Sequence, residues 1–230
     1  MPEERARGIA RVFPKPEELL LRSSLRERKR VGVEMARYDP SLRECLFAFQ
    51  HPEVIRAISE ITQLQDLEAD PTLYASGISV MGKGDYLHPH LDNSNDGDGR
   101  RYRALNLLFY VSPDWKPEND GNLELWDQQI AHAKAIPALF NRLVVMATDH
   151  RSWHSVSQVR VNQPRYCISN YYFSVHSPIG KPYTQVTTFA GRPEQPFQRL
   201  ALWADSALRN LGGRLIPSYR KKSKHRIPGA

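Results

Sequence analysis

Between residues 73 and 174 the chain is a succession of short runs rich in Val, Ile, Leu, Tyr and Phe, cut by clusters of Gly, Asp, Asn and Pro. That texture admits little other than a layered β structure. Strands are expected over residues 73–80, 86–91, 103–111, 122–126, 142–147, 154–159 and 165–174. Turns are expected at Gly82-Lys83-Gly84-Asp85, at Asp96-Gly97-Asp98-Gly99 and in the loop from Pro113 to Gly121. Outside this block the period changes. Leu19, Leu20, Leu21 and Leu25 among charges suggest a helix over 16–30. Val54, Ile55, Ile58, Ile61 and Leu64 recur at three- and four-residue spacings, which predicts a helix over 52–64 packed on a sheet. Phe197, Leu200, Ala201, Ala204 and Leu208 resume that spacing over 195–211. No internal repeat is present. A double-sheet sandwich or jelly roll flanked by helices is the simplest architecture.

Composition narrows the class. A chain of 230 residues, 40% hydrophobic with four Trp, ten Tyr and eight Phe, can fill a core without staples. Cys45 and Cys167, its only cysteines, lack a Cys-x-x-Cys spacing and fit a reducing, cytoplasmic setting. No apolar run approaches the roughly twenty residues of a membrane span, so a soluble protein is expected. The formal charge of +7 is concentrated: Arg214, Arg220, Lys221, Lys222, Lys224 and Arg226 face no acidic residue after position 213. The basic tail over 214–230 reads first as a solvated, partly disordered extension, with an anionic partner such as nucleic acid as the alternative, although no interleaved aromatics accompany it.

The chemistry starts at His90-Leu91-Asp92, at the end of an expected strand. Residues two apart on a strand share a face, so imidazole and carboxylate can converge on one ion. His154 opens a later strand and can meet them across the barrel. Two histidines and one carboxylate are the ligand set of non-haem Fe(II) oxygenases, with positions left open for cosubstrate and oxygen. Zinc hydrolases use the same donors, but no general base stands at a recognisable spacing, as in His-Glu-x-x-His. Arg165 starts a strand whose alternation places Arg165, Cys167, Ser169 and Tyr171 on one face. An arginine aimed into a barrel requires an anion.

Taken in order, these segments resemble the 2-oxoglutarate oxygenases of the prolyl-4-hydroxylase type, nearest to the catalytic domain of the hypoxia-inducible-factor prolyl hydroxylases. The resemblance runs through His90-Leu91-Asp92-Asn93, Gly97-Asp98-Gly99-Arg100, Phe109-Tyr110-Val111-Ser112-Pro113-Asp114-Trp115, Gly121-Asn122-Leu123-Glu124-Leu125, Asp149-His150-Arg151-Ser152-Trp153-His154 and the Arg165 strand. It implies a mainly β, double-stranded β-helix (jelly roll, cupin-like) core over 73–176. A helical support region over 1–72, an extension with a helix over 177–213 and the basic tail would surround it. It implies that His90, Asp92 and His154 bind Fe(II) and that Arg165 and Tyr110 receive the distal carboxylate of 2-oxoglutarate. Ser169 would assist and Tyr171 would line the same pocket. The cosubstrates would be 2-oxoglutarate and O2, with ascorbate as a reductant, and the reaction hydroxylation of a C–H bond with release of succinate and CO2. The substrate would be a prolyl or other amino-acid residue or a small metabolite. Asp92 favours hydroxylation over halogenation, because related halogenases lack that carboxylate. A non-catalytic metal- or carboxylate-binding barrel and an oxygenase recruited to nucleic acid by the tail are the alternatives. The chain departs from the family at Asn122, where a second Gly is usual, and by about one residue in the segment before His90.

Other polar residues read as structural. Strict alternation puts His88 on the face of His90, yet a packed or solvent-facing histidine is the expected role, and His150 reads as a loop residue. Arg100, Arg101 and Arg103 form a charge run of the kind usually found on a solvated face. Asn106 and Glu124 are expected to make structural hydrogen bonds, and Trp115 and Trp126 to pack.

Overall fold

The computed structural model describes residues 1–215. Ten consecutive β residues from Arg165 build β10 (Arg165–Ser174), which pairs antiparallel with β3 (Gly77–Met81) on one side and β5 (Tyr102–Tyr110) on the other. β8 (Arg142–Ala147) extends that sheet beyond β5. A second layer runs from β4 (Tyr86–Leu91) through β9 (His154–Val156) and β6 (Leu123–Trp126) to β7 (Ala133–Ile136). The layers are joined by β2 (Glu27–Gly32), which pairs with β3 at one end and β4 at the other. This is the jelly roll expected over the central block.

Helices cover the outside of the first layer. α1 (Glu3–Arg11) and α2 (Pro40–Ala48) bury Ile9, Leu42, Cys45 and Leu46 against Ile78, Val80, Phe109 and Ile168. Asp39 caps α2 by accepting the Ser41 N–H at 2.9 Å, and Pro40 at its first position needs no partner for a missing donor. α3 (Pro52–Thr62) lays Val54, Ile55 and Ile58 on Leu105, Leu107 and Tyr172 as its stripe predicts, with Leu64 just beyond it, but Ile61 is turned to solvent. Truncating a fully buried side chain such as Leu46 costs about 2–5 kcal/mol.

Several expectations fail for local reasons. Residues 16–30 form no long helix. They give a single 3-10 turn, then β1 (Leu20–Ser23) and β2, because Ser24 turns the chain back, with its N–H on the Glu27 carbonyl, and the edge of β3 supplies unpaired backbone groups for β2 to satisfy. The N-terminal region is therefore part of the barrel wall as well as a helical support. β3 starts at Gly77, not at 73, since the buried Asp70 carboxylate accepts the N–H groups of Tyr74, Ala75 and Ser76 and holds them in a turn. After the core, β11 (Thr188–Phe189) pairs with β4, and α4 (Pro196–Leu215) packs Leu202 beside Phe189 in the inter-sheet core. α4 absorbs the first two residues of the expected tail, and 216–230 lie outside the described residues. Among the described residues no helix is long and apolar enough to cross a membrane. Cys45 and Cys167 are free and buried.

Candidate metal centre and anion pocket

β4 and β9 place His90 directly opposite His154, and Asp92 stands just past the end of β4. One ligand atom from each of the three residues lies within 4.8 Å of the others. His90 Nε2 is 3.7 Å from Asp92 Oδ1, and His154 Nε2 is 3.8 Å from Asp92 Oδ2. The tautomers are fixed by the backbone. His90 Nδ1 donates to the His88 carbonyl at 3.0 Å and His154 Nδ1 to the Ser152 carbonyl at 2.9 Å, which leaves both Nε2 lone pairs free for an ion. Burial, aided by the neighbouring His154, pushes the His90 pKa down to about 3, so the ring is neutral at physiological pH. Burial alone would raise the Asp92 carboxyl, but Arg103, His154 and His90 outweigh it and hold it below the ordinary carboxylate range. His90 and Asp92 are thus in the protonation state a divalent ion needs, and His154 presents its Nε2 beside them.

A bulge between Leu87 and His90 explains why alternation misassigns His88. Leu87 and His90 both face the inter-sheet space, while the buried His88 turns to the Tyr86 ring, 4.9 Å away.

Asp92 is held by Tyr171 and by Arg103, which the sequence pattern leaves on the surface. Arg103 is buried, with Nη1 3.0 Å from Asp92 Oδ2 and its guanidinium 4.3 Å over the Tyr171 ring. The expectation of a solvated run fails at this residue, because pairing of β10 with β5 skips Ala104 and so turns Arg103 inward. Arg101 instead joins Asp96 and Glu68. Tyr171 donates to Asp92 Oδ2 at 3.3 Å and accepts from Asn106 Nδ2 at 3.0 Å. Tyr171 therefore lies at the metal end of β10, where it orients Asp92.

The other end of that strand face holds Arg165 and Tyr110. Arg165 is 3% exposed, and no acidic side chain among the described residues pairs with it. Its Nη1 reaches only the Met81 sulfur at 3.7 Å, and its guanidinium lies 4.8 Å over the Tyr110 ring. Arg165 Nε and the Tyr110 hydroxyl are both buried without a hydrogen-bond partner. Unpaired donors of this kind cost free energy and call for a ligand that accepts. Gly121, at φ +65°, makes room for Arg165, because a Cβ there would lie 2.7 Å from Arg165 Cδ. Ser169 lies between the two ends, half-buried on the same face, with its hydroxyl on the Gly77 carbonyl at 3.2 Å.

A histidine–carboxylate–histidine cluster with an orphaned arginine and tyrosine deeper in the same barrel fits Fe(II) and a dicarboxylate. Residues 76–173 match the family model of the 2OG-Fe(II) oxygenase superfamily. Over that central β block the chain is similar to the 2OG-Fe(II) oxygenases. A prolyl-4-hydroxylase from Pseudomonas putida shares its fold at a TM-score of 0.55 and 17% identity, over 76% of this chain and 88% of that one. A prolyl hydroxylase from Trichoplax adhaerens, solved with a hypoxia-inducible-factor peptide fragment, aligns at a TM-score of 0.50 and 20% identity, over 74% and 76% respectively. Comparison with curated protein sequences gave no match.

Asn122, where the sequence departs from the pattern it resembles, has a structural role. Asn122 Nδ2 donates to the Pro117 carbonyl at 3.0 Å while Oδ1 accepts the Ala138 N–H at 3.2 Å, which ties two loops together beside Gly121. Trp115 is buried with its indole N–H on the Asp120 carbonyl, and Trp126 donates to Ser155. Glu124 pairs with Arg192 from the C-terminal extension, and His150 is an exposed residue near Tyr183.

Proposed function

We propose that the chain is a 2-oxoglutarate-dependent dioxygenase of the prolyl-4-hydroxylase type, which hydroxylates an unactivated C–H bond of a polar substrate, a prolyl or other amino-acid residue or a small charged metabolite, and releases succinate and CO2. The observation that carries the reading is the pair of unsatisfied groups, Arg165 Nε and the Tyr110 hydroxyl, in the same barrel as a metal-ready triad. His90, Asp92 and His154 would hold Fe(II), Arg165 and Tyr110 would hold the distal carboxylate of 2-oxoglutarate, and Ser169 would support it. With both bound, the metal supplies oxidative decarboxylation and C–H oxidation. The chain keeps the His90 imidazole neutral, fixes the Asp92 carboxylate through Arg103 and Tyr171, and surrounds the site with apolar side chains that include Leu87, Val156 and Phe189. The retained Asp92 supports hydroxylation as the outcome.

Polarity of the substrate is supported by the wall that β2 contributes. Glu27 and Lys29 form a half-buried ion pair at 2.9 Å, and Glu27 lies opposite the inward-facing Leu87. An apolar substrate would leave those charges poorly solvated. The Trichoplax structure, with its bound peptide, supports a peptidyl substrate as one arm of the test. Succinate release should be measured from iron-loaded protein with 2-oxoglutarate and ascorbate against peptide, amino-acid and metabolite pools, with Asp92→Asn as the control that keeps an acceptor for Arg103. Succinate formation that no pool raises above the uncoupled level, or that Asp92→Asn leaves unchanged, would refute the assignment. Nucleic-acid recruitment by the basic segment has no support beyond its charge.

A further inference from the structure

The sequence spacing over α4 gives a helical stripe, and the structure turns its Phe197, Leu200, Ala201 and Ala204 outward. Phe197 is 89% exposed, Leu200 67% and Trp203 68%, and Ala201 and Ala204 are exposed beside them. The helix docks by its opposite side. Leu202 is fully buried, Arg199 donates to the Gln129 carbonyl at 3.0 Å, and Arg26 Nε binds Asp205 at 2.9 Å. Gly191 allows this close approach, since a Cβ there would collide with the Arg199 backbone. The outer face is therefore held in place on the body of the protein, and several large apolar groups point to water with nothing among the described residues covering them. Such a patch marks an interaction surface.

Charge selects the partner. After Asp205 the sequence holds Arg209, Arg214, Arg220, Lys221, Lys222, Lys224 and Arg226 and no acidic residue, which equals the whole formal net charge of +7. A second copy of the chain would bring two such segments together and is opposed by their repulsion. A nucleic acid would satisfy the cations but would leave Phe197, Leu200 and Trp203 in water. A surface that is anionic outside and apolar beneath satisfies both features. We propose that the outer face of α4, with the basic residues that follow it, docks the enzyme on an anionic lipid surface. The helix lies in the plane of the headgroups, as amphipathic helices with aromatic and aliphatic faces and flanking Lys and Arg do. This rests on α4 and its charges, independently of the catalytic reading.

The test is co-sedimentation of the full chain with phosphatidylcholine vesicles and with vesicles containing phosphatidylserine. Binding is expected only to the second, and to weaken with added salt. Phe197→Ser/Leu200→Ser/Trp203→Ser changes only exposed side chains and should lower the affinity by roughly a hundredfold or more. Lys221→Gln/Lys222→Gln/Lys224→Gln should lower it by about a hundredfold at low salt, on the order of fivefold per charge. Circular dichroism and unchanged binding of 2-oxoglutarate serve as folding controls. Failure to bind phosphatidylserine vesicles overturns the proposal. So does equal binding to both vesicle types, a light-scattering dimer that the triple Ser variant dissociates, or binding to DNA or RNA that survives the triple Ser variant in place of vesicle binding.

Discussion

Replacing Arg165 with Leu should move stability and ligand binding in opposite directions. In the free enzyme the Arg165 guanidinium is buried, lacks an acidic partner among the described residues and leaves Nε without an acceptor. A buried polar group without a partner costs about 1–3 kcal/mol. Leu removes that cost and retains much of the apolar stem that packs near Tyr110, so metal-free Arg165→Leu should melt higher. For a chain of this size about 1 kcal/mol shifts Tm by ~2–4 °C, which predicts a rise of a few degrees. The bound state behaves the other way. The carboxylate of 2-oxoglutarate would lose its counter-charge in a desolvated pocket, at a cost of about 3–5 kcal/mol, or roughly two to four powers of ten in affinity. Differential scanning fluorimetry of the apo protein and anaerobic titration of the iron-loaded protein read the two quantities separately. A variant that binds 2-oxoglutarate like the parent would refute the anion-pocket assignment. One whose apo Tm drops by many degrees would show Arg165 to be a structural residue.

Asp92→Ala should abolish substrate-coupled turnover and also cost about 3–5 kcal/mol in denaturant unfolding, because it strands the buried Arg103; adding Arg103→Met should recover most of the stability and none of the turnover. Gly121→Ala forces a Cβ to within 2.7 Å of Arg165 Cδ at φ +65°, so it should lose at least about 1–2 kcal/mol of stability and weaken 2-oxoglutarate binding in the same titration. His88, whose pKa burial and Arg192 lower from 6.5 to about 4, is neutral when folded. The unfolded chain takes up that proton first as pH falls, so stability is lost from about pH 6.5 down to 4, by up to about 3 kcal/mol, and urea unfolding of metal-free His88→Leu should show a shallower loss.

Long-range partners separate what the sequence discloses from what it hides. The strand pattern, the α3 stripe and the His90, Asp92 and His154 set are local signals: period, turn residues and donor spacing. They survive folding because each stands on an element with one buried face. Arg103 was hidden because parity along β5 predicts outward, and only the irregularity opposite Tyr172 and Phe173 reverses it. His88 takes its expected packed role, and the irregularity in β4 is what turns it off the face that strict alternation would give it. Residues 20–32 carry charges at helical and strand spacings alike, and the vacant edges of β3 and β4 decided between them. The α4 period was legible, but periodicity gives the angular position of apolar residues and not which side of the helix meets the protein. Leu202, outside the stripe, is the residue that docks.

Charge pairing inside the barrel predicts that metal and cosubstrate bind interdependently. Asp92 is matched by Arg103 and Glu27 by Lys29, which leaves Arg165 as the unmatched cation of that set. Binding Fe(II) adds two positive charges to the site, and 2-oxoglutarate brings two negative ones. Each ligand therefore improves the site for the other. Coupling energies between sites are typically 1–3 kcal/mol, so saturating 2-oxoglutarate should tighten metal binding by about 5–150-fold, and the metal should tighten 2-oxoglutarate binding by the same factor. The coupling arises between the two ligands, not at Arg165. Arg165→Leu should therefore weaken 2-oxoglutarate binding while leaving that factor nearly unchanged. Anaerobic titrations of Fe(II) with and without 2-oxoglutarate, in the parent and in Arg165→Leu, supply the four affinities needed. Equal metal affinity with and without the cosubstrate would show that the two ligands do not share one site, and the assignment of both to this barrel would fall with it.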